Sequence, residues 1–104
     1  MSEVEIEGGA PLPELSEGLL DDEALSRLLD DIQEATQFIG AVIKQAPERH
    51  VGDGMVGFEV ARRLFEGREV RAVQLRYVFD GVQWWDTLMW TPGGARLVRI
   101  GHDR

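Results

Sequence analysis

The sequence predicts a single α+β domain in which one long amphipathic helix and one short helix pack on a three-stranded antiparallel β-meander. Three observations lead there. Two turn signals, Asp80-Gly81 and Pro92-Gly93-Gly94, cut the stretch from Val70 to Ile100 into three runs rich in aromatic and β-branched residues. Ahead of them Leu25, Leu28, Leu29, Ile32, Ala35, Ile39, Val42 and Ile43 recur at three- and four-residue steps, the period of one helix face. Between the two lies a short amphipathic run, Phe58 to Glu66, closed by Gly67.

In chain order, residues 1–20 read as an acidic, flexible N-terminal tail, and residues 21–104 as the domain. The tail carries Gly8-Gly9, Pro11 and Pro13, and too little apolar area to order itself; Leu12, Leu15, Leu19 and Leu20 offer its end a means of docking. The long helix is expected from about Asp22 to Ala46, capped by Asp21 or Asp22 and stopped by Pro47. Gly40 inside it costs roughly 1 kcal/mol against Ala, so a close neighbour, such as a Trp of the sheet, is expected against its backbone.

The connector that follows contains G-x-G-x-x-G at Gly52, Gly54 and Gly57. A dinucleotide site needs a strand before this motif and a parallel sheet around it. Here a helix and Pro47 precede it, so the glycines read as a turn and no cofactor is expected. In the second helix Phe58, Ala61, Leu64 and Phe65 share one side, and Arg62 and Arg63 the other, placed to pair with the acidic first helix or with water.

The hairpin geometry follows from the turns. Asp-Gly suits a type I′ turn, which demands positive φ at both central residues. A two-residue loop there sets Phe79 against Val82, Tyr77 against Trp84, Leu75 against Asp86 and Arg76 against Trp85. A four-residue loop from Thr91 to Gly94 sets Trp90 against Ala95, Leu88 against Leu97 and Asp86 against Arg99. Alternation then gives a core face of Val73, Leu75, Tyr77, Phe79, Trp84, Leu88, Trp90 and Leu97, with Asp86 and Arg99 in its midst.

Composition narrows the function. The 104 residues make one domain; with no cysteine there is no disulfide framework, thiolate nucleophile or cysteine metal site. The histidines, His50 and His102, lack companion ligands, so no metal is expected. No apolar run is long enough to span a membrane, and the acidic N-terminus does not resemble a signal peptide. A cytoplasmic protein of bacterial type is the expectation. The net charge of −8 is concentrated in the first 35 residues, which argues against nucleic acid as partner, even though exposed Trp residues on a sheet can stack bases.

Two candidate sites remain. The second sheet face groups Trp85, Arg76, Met89, Val78, Val98 and Arg96, an aromatic, aliphatic and arginine mixture typical of protein interfaces. It points to a non-enzymatic accessory or assembly module, acting as a homodimer or with a heterologous protein. The alternative is a small enzyme or ligand-binding domain whose pocket holds Asp86 and Arg99 among Trp84 and Trp90, with His50 folded in from the connector.

Overall fold

The computed structural model describes residues 15–44 and 55–102. Seven elements follow one another: β1 (Leu15–Leu20), α1 (Asp22–Ala35), β2 (Gln37–Lys44), α2 (Phe58–Glu66), β3 (Ala72–Phe79), β4 (Val82–Thr91) and β5 (Gly94–His102). The strands form one antiparallel sheet in the order β1-β5-β4-β3-β2. This corrects the expected three-stranded meander. The α+β character stands, but the sheet has five strands, and the added two come from segments assigned by sequence to the long helix and to the tail.

The long helix ends early for a local reason. Asp21 caps its start by accepting from the Ala24 amide at 2.8 Å. At its end Thr36 turns extended, with φ −127°, and its hydroxyl donates to the Ile32 carbonyl at 2.7 Å. The next residues, Gln37-Phe38-Ile39-Gly40-Ala41-Val42-Ile43, are rich in β-branched side chains and pair with β3. A bulge between Phe38 and Gly40 interrupts their alternation. Apolar residues spaced by three across that bulge imitate a helical period, so the strand reads as a continuation of α1.

Something does press on Gly40, but it is Met55 and not a Trp: a Cβ on Gly40 would stand 2.9 Å from the Met55 Cβ and 2.7 Å from its sulfur. Met55 leads into Val56, which exchanges both backbone hydrogen bonds with Ala41, at 3.0 and 2.8 Å. β1 is equally unannounced. Leu15–Leu20 runs antiparallel to β5 along its whole length. Residues 1–14 and the connector at 45–54, with Gly52, Gly54, Asp53 and His50, lie outside the described residues.

The three C-terminal strands take the expected register. Tyr77 faces Trp84, Asp86 faces Arg99 and Trp85 faces Arg76. Asp80 and Gly81 have φ of 56° and 80°, as a type I′ turn requires. The second loop is tighter than expected, because Thr91 and Gly94 themselves pair and leave Pro92-Gly93 as the turn. The pairs beyond it are unchanged.

Both helices bury their stripes on one face of the sheet. Leu25, Leu29 and Ile32 of α1, with Phe58, Ala61, Leu64 and Phe65 of α2, close over Val73, Leu75, Tyr77, Trp84, Leu88 and Leu97. The Phe65 ring stacks on Trp90 at 4.7 Å and 11°, and the Trp90 indole N–H donates to the Phe65 carbonyl at 2.8 Å. Arg62 ties α2 to α1 through Asp30 at 2.9 Å. After Gly67, Arg68 takes a left-handed φ of 59° that returns the chain toward β3, and its guanidinium lies 3.8 Å from the centre of the Trp90 ring.

Candidate functional site

With both helices on one side, no described helix covers the other face of the sheet, and Met55 packs over it at Gly40 near the β2 edge. Register sorts its side chains into rows running across the strands. The first row is Ile100, Trp85, Arg76 and Gly40; the second is Glu17, Val98, Thr87, Gln74 and Val42; the third is Leu19, Arg96, Met89, Ala72 and Lys44. His102, Gln83 and Val78 stand in one further row beyond Trp85. All six residues predicted as a partner-binding surface, Trp85, Arg76, Met89, Val78, Val98 and Arg96, therefore share one face.

Trp85 is the fixed point of that face. The Arg76 guanidinium sits 3.9 Å from its ring centre, and the His102 ring lies 4.3 Å away at 47°. Its indole N–H donates to the Gln83 side chain at 2.8 Å. Arg76 in turn donates to Gln74 at 2.8 Å, and Gln74 to the Thr87 hydroxyl at 3.3 Å. A partly exposed Trp is thus held in one orientation by cation–π stacking and a hydrogen-bonded chain.

Around it Met89, Val98 and Val78 are partly buried, while Ile100 and Leu19 keep 44% and 58% of their surface in water. That is a large exposure for two branched aliphatics on one sheet face. Leu19, Glu17, Val42 and Lys44 escape a reading of the sequence because their strands do. His102 was within reach, since the alternation of Arg96, Val98 and Ile100 continues to it.

Of the second predicted constellation, Asp86 and Arg99 are brought together, but in the core. Arg99 grips Asp86 with two parallel hydrogen bonds, Nε to Oδ1 at 2.8 Å and Nη2 to Oδ2 at 2.7 Å, and the Tyr77 hydroxyl donates to Oδ2 at 3.0 Å. Asp86 and Tyr77 have no exposed surface, and Arg99 retains 4%. Burial alone would lower the Arg99 pKa; the hydrogen bonds and charge of Asp86 overcome it, so the guanidinium is held protonated. Burial first, and then the charge of Asp86, push the Tyr77 hydroxyl far above its usual range.

Trp84, two residues from Asp86 on the same face of β4, and Trp90, which packs on Phe65 farther along the strand, are core residues, 4% and 9% exposed. Trp84 crosses the strand pair onto Gly101, where a Cβ would meet its ring at 2.8 Å. His50, the fifth residue of the predicted pocket, lies outside the described residues. The carboxylate has its oxygens occupied by Arg99 and Tyr77 and no contact with solvent, which is the geometry of a satisfied buried ion pair.

An open groove of about 420 Å³ lies between the helices, lined by Gln33, Phe58, Glu59, Arg62, Arg63 and Glu66. Its best-placed cation is committed. Arg62 bonds Asp30 at 2.9 Å and Glu66 at 3.3 Å, and these partners raise its pKa against the opposing effect of burial. Among the described residues no three His, Cys, Asp or Glu side chains converge as metal ligands, and no helix is long and apolar enough to cross a membrane. No protein-family model, curated protein or solved structure matches this chain.

Proposed function

We propose that this chain is a non-enzymatic binding module that engages another protein through the open face of its sheet, with Trp85 as anchor. The observation that supports it is the face itself: a pre-set indole among exposed and half-exposed aliphatics, bordered by Gln74, Thr87, Gln83 and Arg96. Anchors of this kind dominate interface energetics because they bury much area while losing little side-chain freedom. The state of Asp86 supports the non-enzymatic reading, since the carboxylate with the most developed hydrogen-bond geometry is spent on holding β4 to β5 and β3.

A heterologous partner is favoured over a second copy. Two copies stacked through this face would bring together two patches that each carry Lys44, Arg76 and Arg96 against Glu17, and each copy carries a net charge of −8. The test is affinity capture from source-cell lysate with the wild type, Trp85→Ala and a control on the helical side, Asp31→Ala, each checked by thermal melting. A protein held by the wild type and by Asp31→Ala, then bound at least about 30-fold more weakly by folded Trp85→Ala once purified, is the expected result. A partner captured equally by all three refutes the sheet-face reading.

A further inference from the structure

Charge on the described surface is divided between the two sides of the molecule. The open face bears Lys44, Arg76 and Arg96 against Glu17 alone, whereas α1 on the far side bears five carboxylates, Asp22, Glu23, Asp30, Asp31 and Glu34, against Arg27. Among the described residues, a chain of net charge −8 thus sets cations around its apolar face, with Arg96 paired to Glu17 at 3.4 Å and Lys44 and Arg76 without a carboxylate partner. The rim has an arrangement. Trp85 and Met89 on β4 and Val98 and Ile100 on β5 form a largely apolar strip two strands wide, interrupted on β4 by Thr87, about 5 Å between strands and about 13 Å from Trp85 to Met89. Arg76 and Lys44 flank it on the β3 and β2 side, and Arg96 lies at its end on β5.

We infer that this face accepts an acidic amphipathic helix of the partner, its apolar stripe laid along β4 and β5 and its flanking carboxylates reaching Arg76, Lys44 and Arg96. The inference rests on the protein-binding reading above and names the partner's chemistry. A helix about 10 Å across fits a two-strand strip, and nine or so residues at 1.5 Å each cover its length. An extended segment fits less well, because a strand laid face-on that turns alternate apolar residues to the sheet turns its carboxylates away. The molecule already packs the opposite face in this manner: α1 sets Leu25, Leu29 and Ile32 on the sheet and presents its carboxylates outward.

The experiment titrates the full chain by calorimetry with two synthetic 18-residue helical peptides, one with a Leu stripe flanked by Glu and its twin with Lys for every Glu, and with a single-stranded oligothymidylate. The Glu peptide is expected to bind. Its affinity should fall severalfold in Lys44→Gln/Arg96→Gln, which leaves the contacts of Trp85 intact, and should fall again between low and high salt. It should be lost in Trp85→Ala. Trp85-dependent binding of the Lys twin at equal or better affinity overturns the acidic inference while leaving the docking face in place. Failure of both peptides also overturns it, and the lysate capture then judges the docking face separately. Trp85-dependent binding of the oligothymidylate overturns both.

Discussion

Replacing Arg99 by Met is the sharpest probe of what the buried polar cluster does. The substitution keeps the aliphatic stem and deletes the guanidinium, so of the three hydrogen bonds that described residues give Asp86 it loses two, together with the Arg99 counter-charge, while remaining fully enclosed. Breaking one side of a buried ion pair costs about 3–5 kcal/mol, because the surviving charge stays uncompensated. For a domain stable by roughly 5–15 kcal/mol this is a large fraction. With a urea dependence of about 1–3 kcal/mol per molar, the unfolding midpoint falls by roughly 1–5 M. Circular dichroism during urea titration reads it.

The companion variant removes the whole cluster, Tyr77→Phe with Asp86→Leu and Arg99→Met. An apolar replacement of similar volume leaves no orphaned charge and is expected to recover most of the loss, to within about 2 kcal/mol of the wild type. The reasoning fails if Arg99→Met costs less than about 1 kcal/mol, or if the triple variant is less stable than the single. The first result would mean that water reaches Asp86. The second would mean that the pair contributes more than its own desolvation costs.

Three further outcomes follow from the same structure. Tyr77 keeps its proton in the folded state well above the usual value near 10, so above that pH the unfolded chain binds fewer protons and stability falls with rising pH. The slope approaches 1.4 kcal/mol per pH unit; urea titrations from pH 9 to 11 should show it in the wild type and show it reduced in Tyr77→Phe, and tyrosinate absorbance should appear only on unfolding. Trp90→Ala loses the Phe65 stack and the bond to the Phe65 carbonyl and should cost about 3–5 kcal/mol; Trp85→Ala, lying outside the core, should leave a cooperative thermal transition. Gly40→Ala drives a Cβ into Met55 and should cost about 1–3 kcal/mol, with faster hydrogen exchange at the Ala41 and Val56 amides and little change in β4.

How much of this was legible depends on what fixes each element. The hairpins were, because Asp80-Gly81 determines its turn locally and everything from Phe79 to Arg99 follows by counting. The short helix was, because its stripe and its Gly67 stop lie within ten residues. β2 was not: its identity depends on pairing with β3, thirty-odd residues away, and the bulge at Ile39 gives its apolar residues a helical spacing. β1 was hidden more deeply, since Leu-Ser-Glu-Gly-Leu-Leu has no strand pattern of its own and owes its conformation to the edge that β5 offers. The same distinction runs through the sites. The Trp85 with Arg76 and Asp86 with Arg99 pairings were countable from a turn, whereas the third hydrogen bond from Tyr77 and the burial of the cluster needed the sheet to be closed by helices that sequence placed only in part.

Trp84 and Trp85 show how one physical rule separates a core side chain from a surface one. They are neighbours in sequence and identical in chemistry, and alternation alone sends one inward across Gly101 and the other outward between Arg76 and His102. An outward Trp without neighbours would sample several rotamers and lose that freedom on binding, at about 0.5–1.5 kcal/mol for each immobilised side chain. Here the guanidinium, the imidazole and the Gln83 carbonyl have already met that cost, so the indole presents one shape. On the proposed reading, a surface so ordered in advance would favour a partner that supplies the adjustment, and the flanking carboxylates of the proposed amphipathic helix, on flexible stems, would adapt to Arg76, Arg96 and Lys44.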